Sequence, residues 1–386
     1  MKNSFKLLTG FILTGFFVGV FIYYNSAINT HKFEYKEVED ASVIAVPEVD
    51  VDFSEELAVE DIVAVQNVET PDVMRAIYAT MWSISSDSRR KYLIDLIDRT
   101  DLNSIIIDVK GSGGELVFES VPHIKEIVDE LHRKNIYVIA RVVVFQDNGL
   151  AKISPEFSLK DKNGDIWRDR KGYAYSDPSA KGVWDYNVGI AKQAIDIGFD
   201  EINYDYIRFA TDGKLDDIVY PFWDGTGEKS DVIKNFGAYS KKELKTYKPE
   251  VKLSLDIFGY TFLRGDGLGI GQKLEDMLDN FDYVYPMVYP SHFGPGNFGF
   301  ANPAEFPYEV VKRTLDQGLD SLGEKKDVVK SQIRPWIQVF DLGAKYTPEM
   351  VEAQIKATYD ALGTENTGWL MWSPSNNYDE VLEIEL

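Results

Sequence analysis

The chain has 386 residues, a formal net charge of −22 and no cysteine. This acidity excludes a nucleic-acid partner, because phosphate binding needs a basic face. The missing cysteines exclude a disulfide framework and any thiolate nucleophile or metal ligand, and the four histidines show no ligand spacing, so no metal and no cofactor are implied.

Residues 1–25 are typical of a membrane anchor or signal segment. Lys2 and Lys6 precede an uncharged run of 18 residues, 7–24, which is close to the shortest helix that spans a bilayer. The residues after this run offer poor cleavage signals, which favours an uncleaved anchor over a cleaved signal peptide. Lysines before the run and acidic residues after it predict a single-pass membrane protein whose bulk is extracytoplasmic, or secreted if the segment is cleaved.

Residues 26–72 have the composition of a flexible linker. Between residues 34 and 72 there are 13 acidic residues and one lysine, with valine and alanine interspersed without a sustained period. Such a self-repelling, unperiodic segment predicts a largely disordered tether.

From residue 75 onward, short β-rich runs alternate with amphipathic helices, so the third domain is taken as 73–386. Strands that alternate with helices imply a parallel sheet, and eight such units predict an α/β fold, a closed (β/α)8 TIM barrel. Predicted helices include 88–99, 122–134 and 183–197. The predicted strands are 76–81, 104–109, 137–142, 201–205, 251–256, 283–289, 334–339 and 368–372.

Two aspartates stand where the fourth and fifth predicted strands end, which is where barrel enzymes place their active sites. Asp205 and Asp256 are unusual there, because strand interiors disfavour aspartate. A pair of carboxylates is what the cleavage of a glycosidic bond needs, one to protonate the leaving oxygen and one to attack or to activate water. A purely structural ion pair between Asp205 and Arg208 is the competing interpretation.

The hydrolytic interpretation assigns a role to each group. Asp205 would be the nucleophile or electrostatic stabiliser, held ionised by Arg208, and Asp256 would be the general acid, kept protonated by apolar neighbours such as Phe258. Asp108 and Asp341 are the next candidates for the acid, although Asp108 could simply cap a turn. The predicted substrate-binding residues are Asp108, Arg141, Trp167, Arg208, Tyr285, Tyr289, His292, Trp336, Gln338 and Trp372.

A long irregular segment, residues 145–184, separates the third strand from its helix. Long loops in compact domains are usually functional, and the aromatic residues of this one, Trp167 among them, suit sugar rings. Asn163-Gly164 predicts a hairpin turn rather than a calcium loop, since the later glutamate and the flanking helices of a calcium loop are missing.

Five strand-end segments also resemble a known bacterial family of unknown function, named "Putative glycosyl hydrolase domain" and distantly akin to alpha-amylase-like barrels. The resemblance covers roughly residues 75–386. It implies a catalytic aspartate after strand four, which matches Asp205, and an acid after strand five, where related enzymes usually carry glutamate and this chain has the shorter Asp256. The segments are FDEINYDYIRF (199–209), LDIFGY (255–260), DYVYPMVYPSHF (282–293), RPWIQVFDLG (334–343) and GWLMWSPS (368–375).

The sequence therefore predicts a membrane-tethered, extracytoplasmic glycoside hydrolase that acts on a cell-surface or exported polysaccharide or oligosaccharide. The alternative is a catalytically inactive barrel that binds glycan or scaffolds the envelope, and a weaker one is a lyase or glycan-modifying enzyme. The geometry of Asp205 and Asp256 discriminates between them. Carboxyls that face one cleft favour hydrolysis, and a carboxyl turned into a salt bridge away from the cleft favours a binding module.

Overall fold

Eight short runs rich in β-branched and aromatic residues form parallel strands, and the eighth pairs back with the first to close a barrel. The computed structural model describes residues 66–365 and 367–384. Every strand overlaps its predicted run, so the predicted barrel is confirmed. The strands are β1 (Met74–Ala79), β2 (Ser104–Lys110), β3 (Tyr137–Val143), β4 (Glu201–Asp205), β5 (Lys252–Phe258), β6 (Tyr283–Met287), β7 (Trp336–Gln338) and β8 (Gly368–Trp372).

Helices follow the strands and cover the outside of the barrel. The three helices predicted from periodicity are found within two residues of their expected ends. The helices are α1 (Met81–Ser85), α2 (Asp87–Asp98), α3 (Val117–Ser120), α4 (Ile124–Arg133), α5 (Leu150–Ile153), α6 (Lys181–Ile197), α7 (Lys229–Tyr247), α8 (Leu274–Asn280), α9 (Pro307–Ser321), α10 (Lys326–Val329) and α11 (Pro348–Leu362).

Successive side chains of each strand face alternately outward, toward the helices, and inward, toward the barrel interior. On β4, Ile202 and Tyr204 point outward into the large apolar core between the barrel wall and the helices. Glu201, Asn203 and Asp205 therefore point into the barrel, because successive side chains of a strand face opposite sides. The inward row of β4 is thus polar along its whole length, from the floor of the barrel at Glu201 to its mouth at Asp205.

Residues 67–70, which lead into β1, are hydrogen-bonded to the end of the barrel opposite its mouth. Asn67 Nδ2 donates to the carbonyl of Gly198 at 2.7 Å and to Asp200 Oδ1 at 2.8 Å, and the amide of Val68 donates to the same oxygen at 3.0 Å. Thr70 Oγ1 donates to Tyr137 Oη at 3.2 Å. These contacts belong to residues that the sequence analysis assigned to the linker, because it placed the start of the barrel domain at residue 73.

The hairpin predicted at Asn163-Gly164 is present. Lys160 bridges antiparallel to Ile166, the amide of Asp161 donates to the carbonyl of Asp165 at 2.8 Å, and Gly164 has a positive φ of 88°. Only glycine adopts such a φ without strain, which is why the turn falls there.

Neither the predicted anchor, residues 7–24, nor the linker before residue 66 lies within the described residues. Among the helices of residues 66–365 and 367–384, none is both long enough and apolar enough to cross a membrane.

Candidate active site

A cavity of about 540 Å³ opens at the mouth of the barrel, where the strands have their C-terminal ends. It receives side chains from β3 through β8 and from the loops that follow them. Both aspartates of the predicted pair line it. Its lining residues are Arg141, Lys171, Asp205, Tyr206, Arg208, Asp256, Phe258, Gly259, Tyr260, Met287, Tyr289, His292, Phe293, Trp336 and Trp372.

Arg141, an inward residue of β3, joins three carboxylates beneath this cavity. Its Nη1 contacts Asp108 Oδ1 at 2.6 Å, its Nη2 contacts Asp205 Oδ2 at 2.5 Å, and its Nε lies 3.8 Å from Asp256 Oδ2. Since one planar guanidinium lies beside both aspartates, their nearest oxygens are at most about 9 Å apart, which does not exceed the separation found in glycosidase pairs. The carboxyls of Asp205 and Asp256 therefore share one cleft.

Asp205 is held in place by its own backbone as well as by Arg141. The next residue, Tyr206, has a φ of 54°, a left-handed conformation that is uncommon for a bulky side chain. The amide of Tyr206 donates to Asp205 Oδ1 at 2.6 Å. The carboxylate therefore has one oxygen on the amide and the other on the guanidinium, and its negative charge is paired.

Asp256 lies in a drier setting, only 2% exposed. Trp336 Nε1 donates to its Oδ1 at 2.7 Å and Asn203 Nδ2 donates to the same oxygen at 3.1 Å. Burial, and after it the negative charge of Asp205, raises the pKa of the Asp256 carboxyl well above its ordinary value, although Arg141 and the two donors act in the opposite direction. The two carboxyls in this cleft thus have different environments, one on a guanidinium and a backbone amide, the other buried on two neutral donors.

Asp108 supports the site from below and is absent from the cavity lining. It accepts a hydrogen bond from Tyr78 Oη at 2.5 Å as well as the contact from Arg141, and burial raises its pKa. The ring of Tyr78 in turn stacks on Trp372, with centroids 4.1 Å apart.

The cation beside Asp205 is Arg141 and not Arg208, which corrects the predicted pairing. Arg208 Nη1 donates to the carbonyl of Phe209 and to Thr211 Oγ1, each at 3.1 Å. Arg208 nevertheless lines the cavity, and so do five other predicted substrate-binding residues. These are Arg141, Tyr289, His292, Trp336 and Trp372.

Besides Asp108, three predicted substrate-binding residues lie outside the cavity. Trp167 is buried in the long loop, where its indole donates to the carbonyl of Lys214 at 3.0 Å. Tyr285 donates to Glu201 at the floor of the barrel. Gln338 accepts from the amide of Ser291 at 3.1 Å and ties a loop to β7. Each of these side chains already has a structural partner.

Sequence reasoning missed several residues of the cavity. Gly259 and Tyr260 come just after the end of β5, three and four residues past Asp256, so the strand-end rule that selected Asp256 could have included them. Phe258, the predicted apolar neighbour of Asp256, lines the cavity as well. Lys171 comes from the long loop after β3, and no local pattern distinguishes it from the other lysines of that loop.

A family model described as "Putative glycosyl hydrolase domain" matches residues 76–378. No curated protein matches. A hypothetical protein from Ruminiclostridium thermocellum is 34% identical over 47% of this chain and 96% of its own, with a TM-score of 0.42.

Among more distant structures, the glycoside hydrolase domain of PgaB (BpsB) from Bordetella bronchiseptica is 13% identical over 79% of this chain and 95% of its own, with a TM-score of 0.55. The alpha-galactosidase TtGalA from Thermus thermophilus is 12% identical over 82% of this chain, with a TM-score of 0.51. The match spans 61% of TtGalA, less than two thirds of that enzyme. At these identities the likeness shows the barrel fold.

Proposed function

Because this chain belongs to the "Putative glycosyl hydrolase domain" family, we propose that its barrel cleaves a polysaccharide or oligosaccharide with Asp205 and Asp256. The observation that carries the proposal is the shared cavity, in which two carboxyls from successive strands lie on one guanidinium. One of them is paired with that guanidinium, and burial raises the pKa of the other well above its ordinary value.

In the proposed reaction Asp256 is the general acid. Its proton passes to the glycosidic oxygen as the bond between that oxygen and the anomeric carbon breaks, and the carboxylate that remains is stabilised by Trp336 and Asn203. Asp205 acts as nucleophile or electrostatic stabiliser for the positive charge that develops on the sugar ring. Water then supplies the hydroxyl of the new reducing end, and its proton restores Asp256.

The aromatic lining suits a sugar substrate. Tyr289, Trp336 and Trp372 present ring surfaces around the two carboxyls, and Phe258 and Tyr260 extend this surface toward the rim. The apolar faces of pyranose rings pack on such rings, while hydroxyls reach the polar groups between them.

We also propose that the protein works outside the cytoplasm, tethered by residues 7–24, on a cell-surface or exported polysaccharide. The support is the position of Lys2 and Lys6 before the apolar run. Protease added to intact cells or spheroplasts should release the barrel from its anchor. A barrel that stays protected would contradict this location, and a mature N-terminus near Ala27 would contradict the tether.

The test of the catalytic pair is a substitution series in the full chain, screened against purified polysaccharides for released reducing ends. Asp205→Asn is nearly isosteric but removes the charge, and should lower the rate by on the order of a thousandfold. Asp256→Asn should be comparably severe on natural substrates and milder on those whose leaving group needs no proton.

The matched control is Asp341→Asn. The Asp341 carboxylate accepts the amide of Tyr346 at 2.8 Å and lines a separate, smaller cavity. Its substitution should leave the rate unchanged. Loss of activity in this variant, with activity retained in Asp205→Asn, would show that the proposed pair is wrong. A wild-type chain that binds glycans and cleaves none would instead support the catalytically inactive barrel.

A further inference from the structure

Arg208 is a buried cation without a counter-ion. The residue is 7% exposed and its guanidinium lines the active-site cavity. Within residues 66–365 and 367–384 no carboxylate lies at ion-pairing distance from it, and its Nη1 donates hydrogen bonds to neutral oxygens of Phe209 and Thr211. A buried charge is costly unless it is paired, so a guanidinium in this position needs an anion.

Aromatic rings hold this guanidinium in place. Its Cζ lies 4.9 Å from the ring centroids of Tyr206 and of Phe258, and 5.8 Å from that of Tyr175. Such contacts offset part of the burial cost but supply no hydrogen-bond acceptor. Besides these two bonds from Nη1, the guanidinium bonds to the hydroxyl of Tyr175, which is also neutral, so at least two of its five N–H groups remain for a ligand.

Two more cationic or donor side chains line the same cavity. Lys171 comes from the loop after β3 and has no ion pair within the described part of the chain, and His292 comes from the loop after β6. Burial, and then the charge of Lys171, lowers the pKa of His292, which makes the imidazole a neutral hydrogen-bonding group near pH 7. Three loops thus bring donors to one cavity.

This concentration of positive charge runs against the rest of the molecule. The chain carries a net charge of −22, yet Arg141, Lys171 and Arg208 all line this cavity. Of these three cations only Arg141 is ion-paired to carboxylates of the described residues, so Lys171 and Arg208 are left for a ligand. Electrostatic complementarity to a ligand accounts for such cations in a cavity.

We propose that the sugar bound beside the catalytic pair carries a negatively charged group, a carboxylate or a phosphate, that Arg208 binds with its free N–H groups and Lys171 assists. The fork of a guanidinium matches the two oxygens of either group. The substrate class is then an acidic glycan. This inference rests on the proposed glycoside hydrolase function and deepens it.

The test is a titration of the full chain with sugars. Binding is monitored through the change in tryptophan fluorescence, because Trp336 and Trp372 both line the cavity. Galactose and glucose are each compared with their uronate and their 6-phosphate, so that the ring is constant and the charge varies. We expect the preferred anionic sugar to bind at least tenfold more tightly than its neutral parent. We also expect the preference to shrink as salt is added, because screening weakens exposed charge pairs. The uronate and phosphate arms identify which anion the site takes.

Arg208→Gln should abolish the preference, and Arg208→Lys should keep part of it. Lys171→Gln changes an exposed loop residue and should weaken anion binding without affecting the fold, which covers the case in which Arg208→Gln fails to fold. The matched control is Lys242→Gln on α7, an exposed lysine outside the cavity, which should bind like wild type.

Equal binding of charged and uncharged sugars, binding of none of the anionic sugars, or an Arg208→Gln variant that keeps the preference, would overturn the inference. The proposed function is tested separately, by cleavage of polygalacturonate and of its neutral methyl ester. Cleavage of uncharged polysaccharides without any acidic preference would leave glycoside hydrolysis standing and remove the anionic subsite. A chain that binds uronates and cleaves nothing would support the anionic subsite and contradict glycoside hydrolysis.

Discussion

The hydrogen bond from Trp336 to Asp256 offers a direct test of the general acid. Trp336→Phe keeps a ring in the cavity wall but removes the N–H that lies 2.7 Å from Asp256 Oδ1. This donor stabilises the ionised carboxylate more than the protonated acid, so its loss should raise the pKa of Asp256. The acid then stays protonated to higher pH, and the alkaline limb of the pH–rate profile should move upward.

The size of this movement follows from the geometry. A hydrogen bond to a charged group contributes about 1.5–3 kcal/mol, and a tenfold change in an ionisation constant corresponds to about 1.4 kcal/mol. Asn203 still donates to the same oxygen at 3.1 Å, so the lower end of that range applies. We therefore expect the alkaline limb of kcat/KM to move up by about one pH unit.

The assay is the pH dependence of kcat/KM on whichever polysaccharide the cleavage screen identifies. Carbon-13 NMR titration of selectively labelled aspartate carboxyls gives a second measurement that needs no substrate. Trp372→Phe is the matched control, because Trp372 lines the same cavity but its indole makes no hydrogen bond to Asp256. An alkaline limb that stays in place in Trp336→Phe, moves down, or moves equally in both variants would refute the assignment of Asp256 as the acid.

Two predictions concern stability. Arg141→Met leaves Asp108 and Asp205 buried without their cation, and should lower the free energy of unfolding, measured in urea at neutral pH, by about 3–5 kcal/mol. A loss below about 1 kcal/mol would show that these ion pairs do not stabilise the barrel. A chain that begins at residue 73 lacks the hydrogen bonds of Asn67, Val68 and Thr70, and should melt about 3 °C or more below one that begins at residue 66, since each bond contributes about 1 kcal/mol. Equal melting temperatures would mean that these contacts do not stabilise the barrel.

The barrel could be predicted because each strand combines a local apolar run with a helix of matching period. Strand β4 illustrates this, since Glu201–Asp205 is found at its predicted bounds. Strand β7 shows the limit, because only Trp336–Gln338 of the predicted 334–339 is regular strand. Just before it, the amide of Arg334 donates to the carbonyl of Val284 at 3.0 Å and the carbonyl of Pro335 accepts from the amide of Leu370 at 2.9 Å, so the start of the run is also bonded to both neighbouring strands.

The two candidate carboxyls could be predicted, but their environment could not. Arg141 reaches Asp205 because β3 and β4 are paired with Arg141 opposite Asn203, which places Asp205 two residues higher on the neighbouring strand. That register is a property of the closed sheet and is not encoded in either segment alone. Arg208 was the more obvious partner by sequence distance, but the left-handed turn at Tyr206 sends it to a different wall of the cavity.

The contacts of Asn67 and Val68 also bear on how the protein can be handled. They hold the incoming chain against Gly198 and Asp200, which precede β4, whereas the cavity opens beyond the opposite ends of the strands. A resin, a biosensor surface or a fluorescent fusion joined ahead of residue 66 is therefore attached at the end of the barrel remote from the mouth. Immobilisation at a new N-terminus placed at residue 66 therefore leaves the cavity open to large polymers.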